Sequence, residues 1–475
     1  MTQEHVRTPG RSAYRRLADQ LDTHSDGYGP LRGTLGTGRM GMIWLAANLV
    51  VTTLLTGTLF VPGVTWPTAI GMIVLGTLIG GSVLVLVGNM GTRTGLATMS
   101  LTKGSFGLRG SFLPVAANLV TLMGWSWVQA MLAGVTVNFV VEEMTGFSSP
   151  VLFSVLCQLL VVCLAIFGHA GIERVEPWLA LVILVFMAYI FTTAFLAYSP
   201  AEFAAIPQDT AAGWTPAVVL DVVIATAISW TVLSAEFNRL ARTQAAGMIG
   251  SGVGYVLSTV LAMVLGATAI AFVVLDGGEA VAFDPTVIVA IFGAPLAVVI
   301  FLSVMATNTM VVYGMVSSVV NMVPARRVTF LPTALVLGAV SILGATWLAL
   351  LDRFAAFLTV VGALFIPVFA VMLVDYYLVR SRHYGSDILR GRGGAYWFTG
   401  GVNIAAVLVW LVGAGTSLVL TYTLPSPIGA TIPTFVLSAL LYLAWAAATG
   451  RIDRTARRHT HLLDEPEVAA DHADR

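Results

Sequence analysis

Charge is the scarcest commodity in this sequence. Only 10% of its 475 residues are Asp, Glu, Lys or Arg and 57% are hydrophobic, whereas a soluble globular protein is about 25% charged. A water-soluble fold is excluded on that ratio. The little charge present is balanced, 24 basic against 24 acidic side chains, so no basic field points to nucleic acid and no acidic one to a solvating tail. Cysteine is nearly absent: Cys157 and Cys163 lie in the apolar run 151–167, which excludes a disulfide framework or a Cys-rich metal site and reads as two buried small hydrophobes. The apolar segments also lack a His-x-x-x-His pair, a carboxylate run or a Ser/His/acid set, so nothing supports a membrane protease or a metal enzyme. Ionisable side chains expected deep in the apolar runs reduce to Asp221 and Glu236, too few for a proton-pumping relay.

What is abundant is long apolar sequence. A helix needs about 20 mainly apolar residues to cross a bilayer, because lipid offers its backbone no partners. Twelve such stretches are expected, near 40–62, 68–89, 113–141, 150–168, 176–198, 216–235, 247–275, 287–319, 332–350, 354–378, 397–421 and 427–448. No cleavable signal peptide is expected ahead of them, since the first 38 residues are polar and carry Glu4, Asp19, Asp22 and Asp26. Of the 24 basic residues, 23 fall in the two tails or in the loops after spans 2, 4, 6, 8 and 10, the exception being Arg353. The loops after spans 3 and 7 carry only acids, among them Glu142, Glu143, Asp276, Glu279 and Asp284. The positive-inside rule then puts both termini in the cytoplasm of a multi-pass plasma-membrane protein with an even number of spans.

If spans 1–5 and 6–10 are structural repeats, the first enters from inside and the second from outside. They are then inverted, which is a transporter architecture. The expected organisation is a cytoplasmic tail (1–38), a first five-helix repeat (39–200), a second, inverted one (201–381), a cytoplasmic loop with two additional helices (382–449) and a cytoplasmic tail (450–475). The tails are too short to be catalytic domains, so any chemistry lies in the membrane.

Polar residues concentrate in four of the spans. Span 1 places Asn48, Thr52, Thr53, Thr56 and Gly57 at mid-depth. Such a face, with Gly57 to tolerate unwinding, suits a discontinuous helix whose freed carbonyls coordinate a cation or substrate; the same residues also serve as glue between helices. Span 3 holds Trp125 and, one turn later, Gln129. Trp normally lies in interfacial belts; here the pair can stack a flat ring and hydrogen-bond its edge, while Trp127 reads as core packing. Span 6 adds Ser229 and a second deep indole, Trp230, and two indoles from different helices can sandwich a planar ligand. Glu236 and Arg239 are three apart, as a gate or as an interfacial ion pair. Asp221 faces a cavity or partner, or sits solvated at the outer interface. In span 8, Ser303 and Thr307 share a face suited to a small hard cation, and Asn308 on the neighbouring face can reach a substrate.

Several of these stretches resemble a known family. Gly91-Thr-Arg-Thr-Gly95-Leu-Ala-Thr-Met-Ser-Leu-Thr-Lys103-Gly-Ser105-Phe106-Gly107-Leu-Arg-Gly110-Ser, followed by Gly124-Trp125-Ser, is similar to the loop and third span of the nucleobase:cation symporter-1 family, the purine, cytosine, allantoin and hydantoin permeases. The Trp-x-x-Asn-Leu-Val of 44–50, Gly171-Ile-Glu173-Arg174, Ser-Ala-Glu-Phe at 234–237, and Ala-Thr-Asn with Tyr313 extend the resemblance over about 28–445.

The resemblance implies an all-α integral membrane protein of twelve transmembrane helices, with the LeuT-type 5+5 inverted repeat plus two C-terminal helices, and secondary active import of a flat heterocycle. It makes Trp125 and Gln129 the span-3 stacking and hydrogen-bonding residues, Ser229 and Trp230 the span-6 wall, and Asn308 and Asn48 further substrate contacts. The candidate cation set is Ala47, Ser303 and Thr307; Glu236, Arg239 and Asp221 are the candidates for gating or proton coupling. No cofactor is implied beyond Na+ or H+ as coupling ion. The implied partners are a small heterocyclic substrate and membrane lipid, with the chain a monomer or weak oligomer. Spans 1, 2, 6 and 7 would rock against spans 3, 4, 8 and 9. Departures from the family pattern are Val311 where a further Asn is frequent, Ala306 where sodium-coupled members tend to carry a hydroxyl, Ser229 for Gly, and Glu236 for Asp. The cargo is a purine or cytosine-like base, or else allantoin, hydantoin, a thiamine precursor or an amino acid. A channel is disfavoured, because the polar residues cluster at mid-depth and do not line a continuous pore.

Overall fold

A computed structural model describes residues 30–167, 169–322, 329–453 and 461–465. Most of both expected tails and the arginines at 326 and 327 lie outside the described residues, as do the side chains of Glu173 and Arg174. Among the described residues there is no strand beyond isolated bridges. The helices are α1 (Thr37–Asn48), α2 (Val51–Thr58), α3 (Trp66–Thr94), α4 (Thr98–Phe106), α5 (Phe112–Thr145), α6 (Pro150–Phe167), α7 (His169–Ala197), α8 (Pro200–Ala204) and α9 (Pro216–Thr231). They continue as α10 (Ser234–Asn238), α11 (Gln244–Leu275), α12 (Pro285–Phe292), α13 (Pro295–Met322), α14 (Phe330–Gly344), α15 (Ala349–Asp352), α16 (Phe354–Val374), α17 (Ile404–Tyr422) and α18 (Thr431–Ala448).

Eight of the described helices are long and apolar enough to cross a membrane, namely α3, α5, α6, α11, α13, α16 with its following turn, α17 and α18. The pair α1 and α2 passes the same test when taken together, bent by 58° at its break. Leu181–Ala197, α9 and α14 are apolar but shorter. Local sequence explains the ends: prolines occupy the first turns of α3, α9 and α12, and the side chains of Thr215, Thr243 and Asp284 accept first-turn N–H groups of α9, α11 and α12.

The helices sort into two packed groups. In one, α11 lies against α1, α2 and α3, while α9 and α10 lie on α3. In the other, α5 packs on α13 and α6, and α14 on α13 and α6. Helix α7 touches both groups, and α16 joins α9 to α17 and α18. The basic segments meet at one end, where the Leu31 N–H donates to the Gly95 carbonyl, Arg242 N–H to Leu35, and Arg109 N–H to Gly401. At the opposite end the Asp209 N–H donates to the Pro62 carbonyl, and the Phe283 N–H to the Thr58 hydroxyl.

Several expectations need correction. Span 1 breaks at Leu49–Val50, not at Gly57. Gly57 is helical, and its missing side chain lets α2 approach α11: a Cβ there would stand 2.8 Å from the Met263 carbonyl carbon. Small residues allow such backbone contact where hydrophobicity cannot drive helices together. Expected span 8 is two helices, divided at Gly293, whose φ of +100° only glycine adopts without strain. Cys157 is buried, but Cys163 is exposed; six residues of helix turn the two to different faces. Substituting Gly57 by Leu should lower the melting midpoint of the detergent-purified protein and cost on the order of 3 kcal/mol, since the obstacle is backbone. Gly38, with open space around it, should accept Ala without loss in the same assay.

Candidate functional site

The break in the first crossing is held by its own side chains. Asn48, fully buried, donates to Ser258 Oγ of α11 at 3.3 Å and to Thr259 Oγ1, and accepts from Thr53 Oγ1 at 3.3 Å. One amide thereby joins α1, α2 and α11. Ala47 is buried two residues before the break, where the last carbonyls of a helix lack intrahelical partners. A second interruption follows Trp230, at Val232–Leu233 between α9 and α10. Ser229 Oγ donates back to the Thr226 carbonyl at 2.7 Å.

On the opposite group sits a network of uncharged side chains. Gln158 of α6 donates to Ser126 Oγ at 2.9 Å and to Ser341 Oγ at 2.8 Å, and its Oε1 accepts from Asn308 Nδ2 at 2.9 Å. Asn308 also donates to the Ser126 carbonyl at 3.2 Å. The network ties α5, α6, α13 and α14 together. Around it, Gln129 Oε1, Asn308 Oδ1 and Ser303 Oγ are buried with no hydrogen-bond partner among the described residues. Thr307 Oγ1 donates to the Ser303 carbonyl at 3.0 Å, and their helix α13 packs on α2.

Trp125 is 9% exposed and meets Phe354 and Phe357 edge-on, with centroids 5.5 and 5.7 Å away. Trp230 belongs to a separate cluster with Met40, Trp44, Leu84 and Tyr255. The two indoles thus belong to different packing groups, and no ring pair joins them among the described residues. Trp127 is partly buried against the main core, as core packing requires.

The charged candidates have structural partners. Asp221 accepts from the N–H groups of Ala430 at 2.6 Å and Thr431 at 2.9 Å, capping the start of α18. A carboxylate is stabilised there by free N–H groups and the helix dipole. Glu236 turns to Thr98, accepting from its hydroxyl at 2.6 Å and its N–H at 3.2 Å. Arg239 keeps buried Nε and Nη1 atoms without hydrogen-bond partners among the described residues. Glu236 therefore fixes α10 to α4 through a hydrogen bond more than through the expected ion pair.

Four residues of consequence escaped sequence reasoning. Gln158 was visible as an amide in an apolar run. Thr98 and Asn238 act through distant partners; Asn238 accepts from Trp44 Nε1 at 2.8 Å and donates to Ser251 Oγ at 3.1 Å. Asp375 corrects the inventory of deep acids: it is buried at the end of the tenth expected span, accepting from Tyr384 and Tyr442 hydroxyls at 2.8 Å each and from Arg380 Nε at 3.1 Å. Those three donors compensate its burial.

A bent helix in one packed group, set against a second group rich in buried uncharged polar atoms, defines a membrane transporter. The chain matches, over residues 34–447, the family described as "Permease for cytosine/purines, uracil, thiamine, allantoin", and it belongs to that family. It is a multi-pass membrane permease and not an enzyme.

Among its relatives are a putative purine-cytosine permease of Bacillus subtilis, 25% identical over 407 residues (79% of this chain, 84% of the relative), and the allantoin permease of the same organism, 25% identical over 420 residues (80% and 83%). The cytosine permease of Escherichia coli K12 is 24% identical over 427 residues (82% and 92%). In fold the chain is similar to the inward-facing conformation of Mhp1, with a TM-score of 0.77 at 19% identity over 89% of this chain and 94% of that one. Mhp1 in a closed conformation, titled a nucleobase-cation-symport-1 family transporter with bromovinylhydantoin bound, gives 0.72 at 20% identity (89% and 96%). A Na+-coupled sialic acid symporter gives 0.60 at 14% identity (94% and 96%).

Because Gln158 satisfies three neighbours, Gln158→Leu should destabilise the protein by about 1–3 kcal/mol. Combined with Asn308→Leu, the loss should be less than additive by at least about 0.5 kcal/mol. Denaturation midpoints of the two single variants and the double variant measure this.

Proposed function

We propose that the protein imports a nucleobase, a purine or cytosine-like heterocycle, by proton or sodium symport with alternating access. One observation carries the reading: Gln129, one turn from Trp125 on α5, and Asn308 on α13 each hold a buried amide oxygen with no partner among the described residues. A buried acceptor left unpaired costs about 1–3 kcal/mol, and the edge of a base supplies the ring and exocyclic N–H donors that satisfy it. The indole of Trp125 offers a face for the ring, with Ser229 and Trp230 as a second wall and Asn48 holding the break beside it. Names of relatives that carry cytosine and purines support the same cargo. A second reading keeps the site and changes the ring to allantoin, as a relative's name suggests, or to hydantoin, a thiamine precursor or an amino acid; Val311 in place of an amide favours fewer edge contacts.

For the coupling ion, Ser303 Oγ, buried and without a partner among the described residues, and Thr307 Oγ1 on the helix that packs on α2 suit a small hard cation, with the Ala47 carbonyl as a further ligand. Sodium bound there would be coordinated by the lone pairs of these neutral oxygens. A proton remains the alternative, with Glu236, Arg239 and Asp221 as candidates for coupling or gating.

The reading extends to architecture. Counting the bent pair and the three shorter apolar helices as crossings gives twelve. The interruption after Trp230 corresponds to the one after Asn48, as two inverted five-helix repeats (39–200 and 201–381) require, with 382–449 appended. Both termini lie in the cytoplasm under the positive-inside rule, and the chain works in lipid as a monomer or weak oligomer.

Uptake of radiolabelled cytosine and hypoxanthine into cells or proteoliposomes tests the cargo. It should saturate, and Trp125→Ala should weaken it about tenfold, the scale of one base stacked on an aromatic ring; undiminished uptake in that variant contradicts the stacking role. Collapsing the sodium and proton gradients separately should abolish transport in one case only, and Ser303→Ala should reproduce the loss if that ion is sodium.

A further inference from the structure

At the basic end of the molecule four guanidinium groups crowd one cleft. Arg32, Arg93, Arg242 and Arg382 line it together with His461, and among the described lining residues the only carboxylate is Asp464. Its volume is about 540 Å³, within the roughly 300–1,000 Å³ of small-ligand sites.

Hydrogen bonds tie Arg93 and Arg242 to neighbouring segments. Arg93, in the last turn of α3, donates to Gln244 Oε1 at 3.0 Å and to the Arg382 carbonyl at 3.2 Å. Arg242 is anchored through its backbone to Leu35, and Arg32 meets Asp464. Among the described lining residues four guanidiniums face one carboxylate, and burial together with the neighbouring Arg32 holds His461 below the ordinary histidine range.

The backbone adds to this positive charge. Gln244 and Ala245, the first two residues of the 32-residue helix α11, also line the cleft. Thr243 caps the N–H of Ala246, and the positive end of the helix lies at the cleft. Asp464 on Arg32 shows the chemistry on a small scale: an anionic oxygen from another segment already seats against this wall.

We propose that this cleft is a binding site for a phosphate-bearing anion, either free in solution or carried on the headgroup of an acidic phospholipid. Several planar guanidiniums and a helix N-terminus converging on one volume match the multiple acceptor oxygens and charge of a phosphate better than a single carboxylate does. The cleft opens where the spanning helices end, so a lipid headgroup at that interface and a soluble phosphate both have access. Its walls come from the segment before α1, from the end of α3, from the start of α11, from the segment after α16 and from the 461–464 stretch, so an occupied cleft crosslinks five parts of the chain and raises its thermal stability. This site involves none of the residues assigned above to the transported ring.

The test uses the full chain in nanodiscs. Melting midpoints are measured in phosphatidylcholine discs with sodium phosphate against sodium chloride at equal ionic strength, and in discs containing phosphatidylglycerol without added phosphate. A saturable rise with phosphate assigns a soluble ligand; a rise only with phosphatidylglycerol assigns the lipid headgroup. Either rise should be lost in Arg242→Gln/Arg382→Gln, with half-saturation weakened about tenfold or more, and kept in Arg242→Lys/Arg382→Lys. Should the glutamine pair fail to fold, Arg32→Gln, an exposed position, gives the same comparison. Identical melting of the wild-type protein under all conditions, or an undiminished rise in the glutamine variants, overturns the proposal.

Discussion

Inside a bilayer a peptide group has no water to bond, so every interruption of a spanning helix must be covered by protein. The break at Leu49–Val50 meets that constraint through Asn48, whose carboxamide reaches Ser258 and Thr259 of α11 and receives the Thr53 hydroxyl. Close backbone approach of α2 to α11 at Gly57 and Gly266 makes the reach possible. Remove the cover and the bent crossing would straighten or the bundle would part. The placement of α3, α9 and α10 on the same group follows from α11 serving as the wall on which the broken helix rests.

The second group answers a complementary problem, how to recognise a ligand at a depth where charge is expensive. Its helices are locked by amides and hydroxyls centred on Gln158, and the same rigid frame carries the oxygens of Gln129 and Asn308 that have no partner among the described residues. Full charges are spent elsewhere. Asp221 caps α18, Glu236 anchors α10 on Thr98, and Asp375 is enclosed by two tyrosines and Arg380. This division suits a neutral planar cargo.

Much of this was legible in the sequence, because spans are written in consecutive residues. Apolar length located the helices long enough to cross, though it ran expected spans 8 and 11 several residues past their N-terminal ends, and the loop from Gly91 to Gly110 with Trp125 pointed to the family. Breaks were harder to place: the glycine that seemed to permit unwinding, Gly57, serves packing, while Leu49–Val50 carries no local breaker and is interrupted by tertiary hydrogen bonds. Partners were harder still. Nothing in the neighbourhood of Asp221 announces Ala430, and nothing near Glu236 announces Thr98, since those bonds are set by which helices pack together. Asp375 was visible but sits beside tyrosines and an arginine whose compensation appears only in three dimensions.

On the proposed function a neutral flat ring binds between the two helix groups, against Trp125 and the amide oxygens of Gln129 and Asn308 that have no partner among the described residues. A crystal or cryo-EM structure of the protein with cytosine or hypoxanthine bound decides this. The ring should lie on the Trp125 indole with its N–H edge toward those two amides. A base bound away from Trp125, or a site in which both amide oxygens keep only protein partners, would contradict it.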